Sequence, residues 1–138
     1  MTTLKESLRG KLTEKEIEIV PSSFDIVGDL AVFSDFPKGL VKKENLVGMA
    51  LLQLHKNIRV VLKKVGKYGG EFRTPKLKII AGEKRKETMH VEHGCKFRLN
   101  PEKAYFSSRL SNERKRVAGL VQEGEFVLVM FSGVGVYP

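Results

Sequence analysis

The chain is poor in several features that define common protein classes. Among its 138 residues there is no tryptophan, and there are three tyrosines, five prolines and a single cysteine, Cys95. One thiol excludes an internal disulfide framework and fits a reducing compartment, and Cys95 reads as a small buried hydrophobe. No apolar run approaches the roughly 18–20 residues of a membrane-crossing helix. Met1-Thr2-Thr3-Leu4-Lys5-Glu6 lacks the apolar centre of a secretory signal. A cytoplasmic setting with no membrane partner is therefore expected. What remains, 41% hydrophobic and 30% charged residues, is the composition of an ordinary globular protein.

Acidic residues are scarce too, but only in part of the chain. The net charge is +9, yet residues 1–50 balance at −1 and residues 51–138 at +10. Such asymmetry points to a polyanionic partner, because each Lys or Arg set against a phosphate releases condensed counterions. The competing reading is a basic face kept for solubility. Lys63, Lys64 and Lys67, then Arg73, Lys76 and Lys78, then Lys84, Arg85 and Lys86, form three clusters suited to tracking phosphates. Arg73 follows Gly69-Gly70-Glu71-Phe72, a flexible stretch that can bring its guanidinium to a base edge or a phosphate.

Periodicity supplies the elements. Leu4, Leu8 and Leu12 recur at a spacing of four and predict a thin amphipathic helix over residues 2–16. Phe24, Ile26, Leu30 and Val32, with Gly28-Asp29 between, predict a strand pair or one bent strand. Residues 44–55 are too continuously apolar for one stripe and read as a well-buried helix. Arg59–Val65 reads as a strand, Gly66–Pro75 as an exposed loop, and Leu77–Ile80, Glu87–Val91 and Cys95–Leu99 as further strands. A helix is expected from Ser111 to about Val121, capped by Ser111 or Asn112, with an apolar side of Leu110, Val117, Leu120 and Val121. Glu125–Phe131 reads as an apolar strand. Strands and helices that mix without strict alternation predict an α+β domain.

Three groups of residues invite chemical readings. Phe131-Ser132-Gly133-Val134-Gly135 places a Gly-x-Gly turn after a strand, which suits backbone approach to a nucleotide-type ligand or is simply a turn near the chain end. His90, His93 and Cys95 are not expected to hold a metal, because an odd offset puts the two histidines on opposite strand faces. Tyr105-Phe106-Ser107-Ser108-Arg109-Leu110 leads into a helix whose first turn holds Glu113 and Arg114. That arrangement is either packing with a favourable dipole for Glu113 or the lining of a site.

Taken in order, Gly70-Glu71-Phe72-Arg73, Ala81-Gly82-Glu83, His90 to Phe97, Tyr105 to Leu110 with Glu113-Arg114, and Met130 to Gly135 resemble a known family. They are similar to the archaeal and eukaryotic tRNA (guanine-N1-)-methyltransferases that modify the guanine 3′ of the anticodon, position 37. The resemblance runs from about Ile17 to the last residue. It implies a tRNA-binding α+β domain followed by a Rossmann-type methyltransferase domain that uses S-adenosylmethionine. It also implies that Arg73 contacts the target guanine and that Glu113 is the base that accepts the N1 proton, a role a nearby carboxylate can fill. Tyr105, Arg109, Phe131, Gly133 and Gly135 would serve the cofactor, and Arg73, Lys63, Lys64, Lys67, Arg109 and Arg114 the tRNA.

The departures are specific. Val129 stands where the family has an aspartate, Ser132 replaces an alanine, Ser108 a proline, and Val136-Tyr137 a Pro-Phe pair. Related aminocarboxypropyl transferases of wybutosine synthesis share the architecture but usually lack the arginine-leucine that Arg109-Leu110 provides. The expected division is an N-terminal helix over 1–16, a tRNA-recognition domain over 17–100, a connecting segment and helix over 101–124, and over 125–138 the first strand of a cofactor domain cut inside its first motif. Such a chain is expected to be a monomer, inactive alone, partnered by tRNA and by a missing methyltransferase half. A stand-alone RNA-binding module without catalysis is the rival.

Overall fold

Strand residues alternate faces, and the run Leu30-Ala31-Val32-Phe33 uses both. In the computed structural model, which describes residues 2–70 and 74–137, this run is strand β2 (Leu30–Phe33). Ala31 and Phe33 join one apolar cluster, while Leu30 and Val32 join another on the opposite face. Around β2 lies a four-stranded sheet in the order β1-β2-β3-β4, with β1 at Asp25–Val27, β3 at Val60–Gly69 and β4 at Thr74–Gly82. β1 and β2 form the expected antiparallel pair, turning at Gly28-Asp29. β2 and β3 run parallel, which requires a crossover. The crossover holds a 3-10 turn, Lys38–Lys43, and helix α3, Glu44–Leu54.

Helix α3 buries Val47, Gly48, Ala50 and Leu51, while Met49 faces out, so one side of it is solvated. It lies so close to the sheet that a Cβ on Gly48 would come 2.6 Å from the Ala81 side chain. A register shift in β4 explains the approach. Val61 pairs with Ala81 but Leu62 with Ile79, so Ile80 is an extra residue. Ile80 and Ala81 therefore both belong to the cluster on the helix side. The Ile80 carbonyl accepts from Asn45 Nδ2 of α3 at 2.9 Å.

Four expectations change. The N-terminal helix over 2–16 is two short helices, α1 (Leu4–Ser7) and α2 (Glu14–Ile19), broken where Gly10 takes φ +79°. Each starts on a reciprocal cap: the Thr3 and Thr13 hydroxyls accept from the Glu6 and Glu16 amides, and those glutamates accept from the threonine amides. Within Gly66–Pro75, residues 66–69 and 74–75 are strand, because β3 and β4 pair far along their length. The last helix, α4, runs only from Ser111 to Ala118 behind a 3-10 turn, Ser108–Leu110, with no side-chain cap. The 3-10 turn already serves the Ser111 amide, through the Ser108 carbonyl. Leu110, Leu120 and Val121 are exposed and build no apolar side. Residues 125–131 form no strand, since no described strand pairs with them; Phe126 and Phe131 are fully exposed.

The expected strands at 87–91 and 95–99 form a separate antiparallel hairpin, β5 (Thr88–Glu92) and β6 (Cys95–Leu99). Its turn puts His93 and Gly94 at positive φ. Cys95 is exposed, not buried, because it sits at the start of β6 beside that turn. Gly48→Ala is expected to lower stability by about 1–3 kcal/mol, although alanine favours helix by about 1 kcal/mol. In urea unfolding, adding Ala81→Gly should recover part of that loss. A Gly48→Ala chain as stable as the wild type would contradict the close packing.

Candidate functional site

The β5–β6 hairpin is tied to the β1–β2 turn by a cluster of polar contacts. The Gly28 amide donates to His90 Nδ1 at 3.0 Å, and the Asp29 amide to Thr88 Oγ1 at 3.2 Å. Arg85 grips Asp29 with both terminal nitrogens, at 3.0 and 2.5 Å, and holds its carboxyl below the usual carboxylate range. The space is tight. A Cβ on Gly28, already at φ +58°, would lie 2.2 Å from Thr88 Oγ1 and 2.6 Å from the Met89 carbonyl oxygen.

His90 also carries this connection inward. Because Nδ1 accepts a bond, the neutral ring keeps its proton on Nε2, which faces Glu92 Oε2 at 3.2 Å. Glu92 in turn receives Arg114 of α4 through Nε and Nη2, at 2.5 and 2.6 Å, with both side chains about 95% buried. Arg114 Nη2 further donates to the Ser107 carbonyl at 3.0 Å. Phe106 is held between the His90 ring, 4.8 Å away, and the Arg114 guanidinium, 5.1 Å away. Phe106 and Ser107 are thereby fixed from behind.

On their other side is open space. Asp25 and Ser34 from the sheet, with Tyr105, Phe106, Ser107, Ser108 and Arg109, line a cavity of about 210 Å3. A narrower pocket of about 70 Å3 shares Asp25, Tyr105 and Phe106 and reaches Lys64, Pro75 and Pro101. Arg109 Nε donates to Asp25 Oδ1 at 2.7 Å, joining β1 to the segment before α4. The Gly-x-Gly turn folds back toward the same place: a Cβ on Gly133 would stand 4.0 Å from the Tyr105 carbonyl oxygen. Tyr137 comes within electrostatic reach of Arg114 and Arg116.

The structure thus gathers Tyr105, Arg109, Lys64 and Gly133 and separates others. Lys63 faces inward, buried against Glu44 and over the Phe36 ring at 5.2 Å. Arg114 is likewise occupied by Glu92, so neither presents its charge to a surface. Lys67 is exposed on β3. Glu113 is exposed on α4, bound by Arg116 at 2.6 and 2.9 Å, which lowers its pKa. Gly135 is open, and Phe131 projects fully into solvent at φ +55°. Arg73 lies outside the described residues. The sequence reading missed Asp25 and Glu92, because each acts through a distant arginine, 84 and 22 residues away.

A model described as the TYW2 N-terminal domain matches residues 4–85, and one described as the TRM5/TYW2 methyltransferase domain matches residues 88–138. The chain belongs to the TRM5/TYW2 family. Among TRM5/TYW2 relatives, the tRNA (guanine(37)-N(1))-methyltransferase Trm5b of Pyrococcus abyssi is 45% identical over 84% of this chain and 35% of its own length. The tRNA (guanine(37)-N(1))/4-demethylwyosine(37)-methyltransferase Taw22 of Nanoarchaeum equitans is 40% identical over 84% of this chain and 38% of its own. The crystal structure of P. abyssi Trm5b superposes with a TM-score of 0.81, at 42% identity, over 91% of this chain and 38% of that one. A complex of aTrm5 with tRNALeu gives 0.82, at 29% identity, over 98% and 40%. The chain therefore spans a little over a third of the relatives it matches.

Relatives of this family include a P. horikoshii TYW2 crystallised with MeSAdo. In this chain Gly133 approaches the Tyr105 carbonyl, Gly135 is open, and the segment leading to the turn is unpaired and exposed. The described residues do not close a site for S-adenosylmethionine, and no chemical step is assigned through it.

Glu92 gives a pH test of the supporting pair. Hydrogen bonds from Arg114 lower its carboxyl most, burial opposes them, and His90 adds a smaller lowering, so it stands at about 2. A folded pKa below the unfolded one means that the contribution is complete above pH 4.5 and disappears as pH falls toward 2. Between those limits the wild type should lose on the order of 3 kcal/mol more stability than Glu92→Gln. Parallel unfolding profiles for the two chains would show that the pair contributes nothing.

Proposed function

We propose that this chain is the tRNA-recognition portion of an S-adenosylmethionine-dependent methyltransferase acting on N1 of guanine at tRNA position 37. The observation that supports the reading is a cavity lined by Tyr105, Arg109 and Asp25, with Lys64 on the adjoining pocket and the Gly133 turn beside the Tyr105 carbonyl. The relatives at 45% and 40% identity are methyltransferases by name, whereas the TYW2 structure is 25% identical, which supports methyl over aminocarboxypropyl transfer. In this reading Arg73 contacts the guanine and Glu113 takes its N1 proton. Arg116 keeps Glu113 ionised, hence able to accept, and must yield it when the base arrives. Lys64, Lys67 and Arg109 meet phosphates. Residues 17–100 form the recognition domain, and the chain alone transfers no methyl group.

Two measurements test this. With about three or four phosphate contacts, affinity for an unmodified tRNA transcript should fall roughly 10- to 100-fold between about 50 and 200 mM salt. No methyl should pass from labelled S-adenosylmethionine to that tRNA. Binding that ignores salt would remove RNA recognition as the function. Transfer specific to guanine over adenine at position 37 would show that this chain is itself a complete catalyst.

A further inference from the structure

Among the guanidinium–carboxylate pairs around the cavity, that between Arg109 and Asp25 is built to open. Glu92–Arg114 is almost wholly buried, whereas the Arg109 side chain is 69% exposed and that of Asp25 29%. An ion pair in such a setting contributes little, because water already solvates both charges and salt screens them. Asp25 also has a second partner. Ser34 Oγ donates to its other oxygen at 3.2 Å, so the carboxylate stays hydrogen-bonded if the guanidinium leaves. Asp25 is the one carboxylate among the described residues lining the cavity and its adjoining pocket. The other charged lining residues, Lys64 and Arg109, are cations.

We propose that Asp25 stands in for an RNA backbone phosphate on Arg109, and that RNA binding transfers the guanidinium from the carboxylate to a phosphate. A phosphate gains on Asp25 because it can take two parallel N–H bonds where Asp25 accepts from Nε, and because its neutralisation releases counterions. The exchange gives selectivity as well. A polyanion that brings no phosphate to this cavity meets Asp25, a like charge, in place of a free cation. The inference rests on the reading of this face as an RNA-recognition surface.

The test is fluorescence anisotropy of a labelled, unmodified tRNA transcript with guanine at position 37, titrated with the full chain at about 100 mM salt, where screening is moderate. Asp25→Asn should raise affinity roughly 2- to 5-fold, the scale of one exposed ion pair, and Arg109→Ala should lower it by a similar factor. In the Arg109→Ala background, Asp25→Asn should change nothing, because its effect passes through the guanidinium. An equal gain in both backgrounds would make Asp25 a diffuse charge and overturn the proposal. A weaker Asp25→Asn complex would overturn it as well, because Asp25 would then position Arg109. Unchanged melting temperatures establish that the variants fold. A wild-type chain that binds no RNA would remove the functional reading, and this inference with it.

Discussion

The buried pair between Glu92 and Arg114 is the constraint on which the site depends. Two opposite charges have left water, and each is tolerable only because the other is there; breaking such a pair costs about 3–5 kcal/mol. The pair locks α4 to the β5–β6 hairpin. Through the Ser107 carbonyl and the face of Phe106, Arg114 then fixes the backbone that presents Tyr105 and Arg109. The hairpin itself is placed by the β1–β2 turn, where Gly28 has no room for a side chain and Asp29 is held by Arg85 and Thr88. One continuous chain of polar contacts therefore runs from the β1–β2 turn to the cavity wall.

The same chain of contacts gives the two matched regions a physical joint. Residues 4–85 and 88–138 match separate family models, and the division falls between Arg85, which grips Asp29, and Thr88, which bonds to it. Arg109, through Asp25, and Glu102, through the Leu77 amide, add second and third connections from the later region back to the earlier one. Such cross-links couple the placement of the four-stranded sheet to the placement of the aromatic wall.

Much of the fold was legible because it is local. The strand pair before residue 34, the buried helix 44–55 and the 88–99 hairpin each announce themselves by periodicity and turn residues, and the structure contains all three. The two Thr-x-x-Glu caps were equally visible, but the leucine spacing across Gly10 masked the break they signal. The length of β3 and β4 was hidden because Gly and Lys are poor strand residues, and pairing along the hairpin overrides that preference. The site was legible only in its outer members. Tyr105 and Arg109 belong to a motif, whereas Asp25 and Glu92 matter through partners 84 and 22 residues away, separations that no periodicity encodes.

Arginine–carboxylate pairs recur through this molecule, and burial assigns them different roles. At Glu92–Arg114, with no water to compete, the pair is a structural bolt, and a phosphate could not claim the guanidinium without exposing a buried carboxylate. At Asp29–Arg85, about a third exposed, it fastens a turn that glycine geometry has already shaped. At Glu113–Arg116 and Asp25–Arg109 the arginine is largely in water, so the contact is weak and exchangeable. Counting charges along the sequence therefore overstates the basic surface open to a polyanion, because Lys63 and Arg114 are spent inside the fold. Of the cations grouped at 63–67, the fold leaves Lys64 half-buried and Lys67 exposed, while the Arg109 side chain stays largely in water. Burial thus decides, cation by cation, how much of the net charge a polyanion can meet.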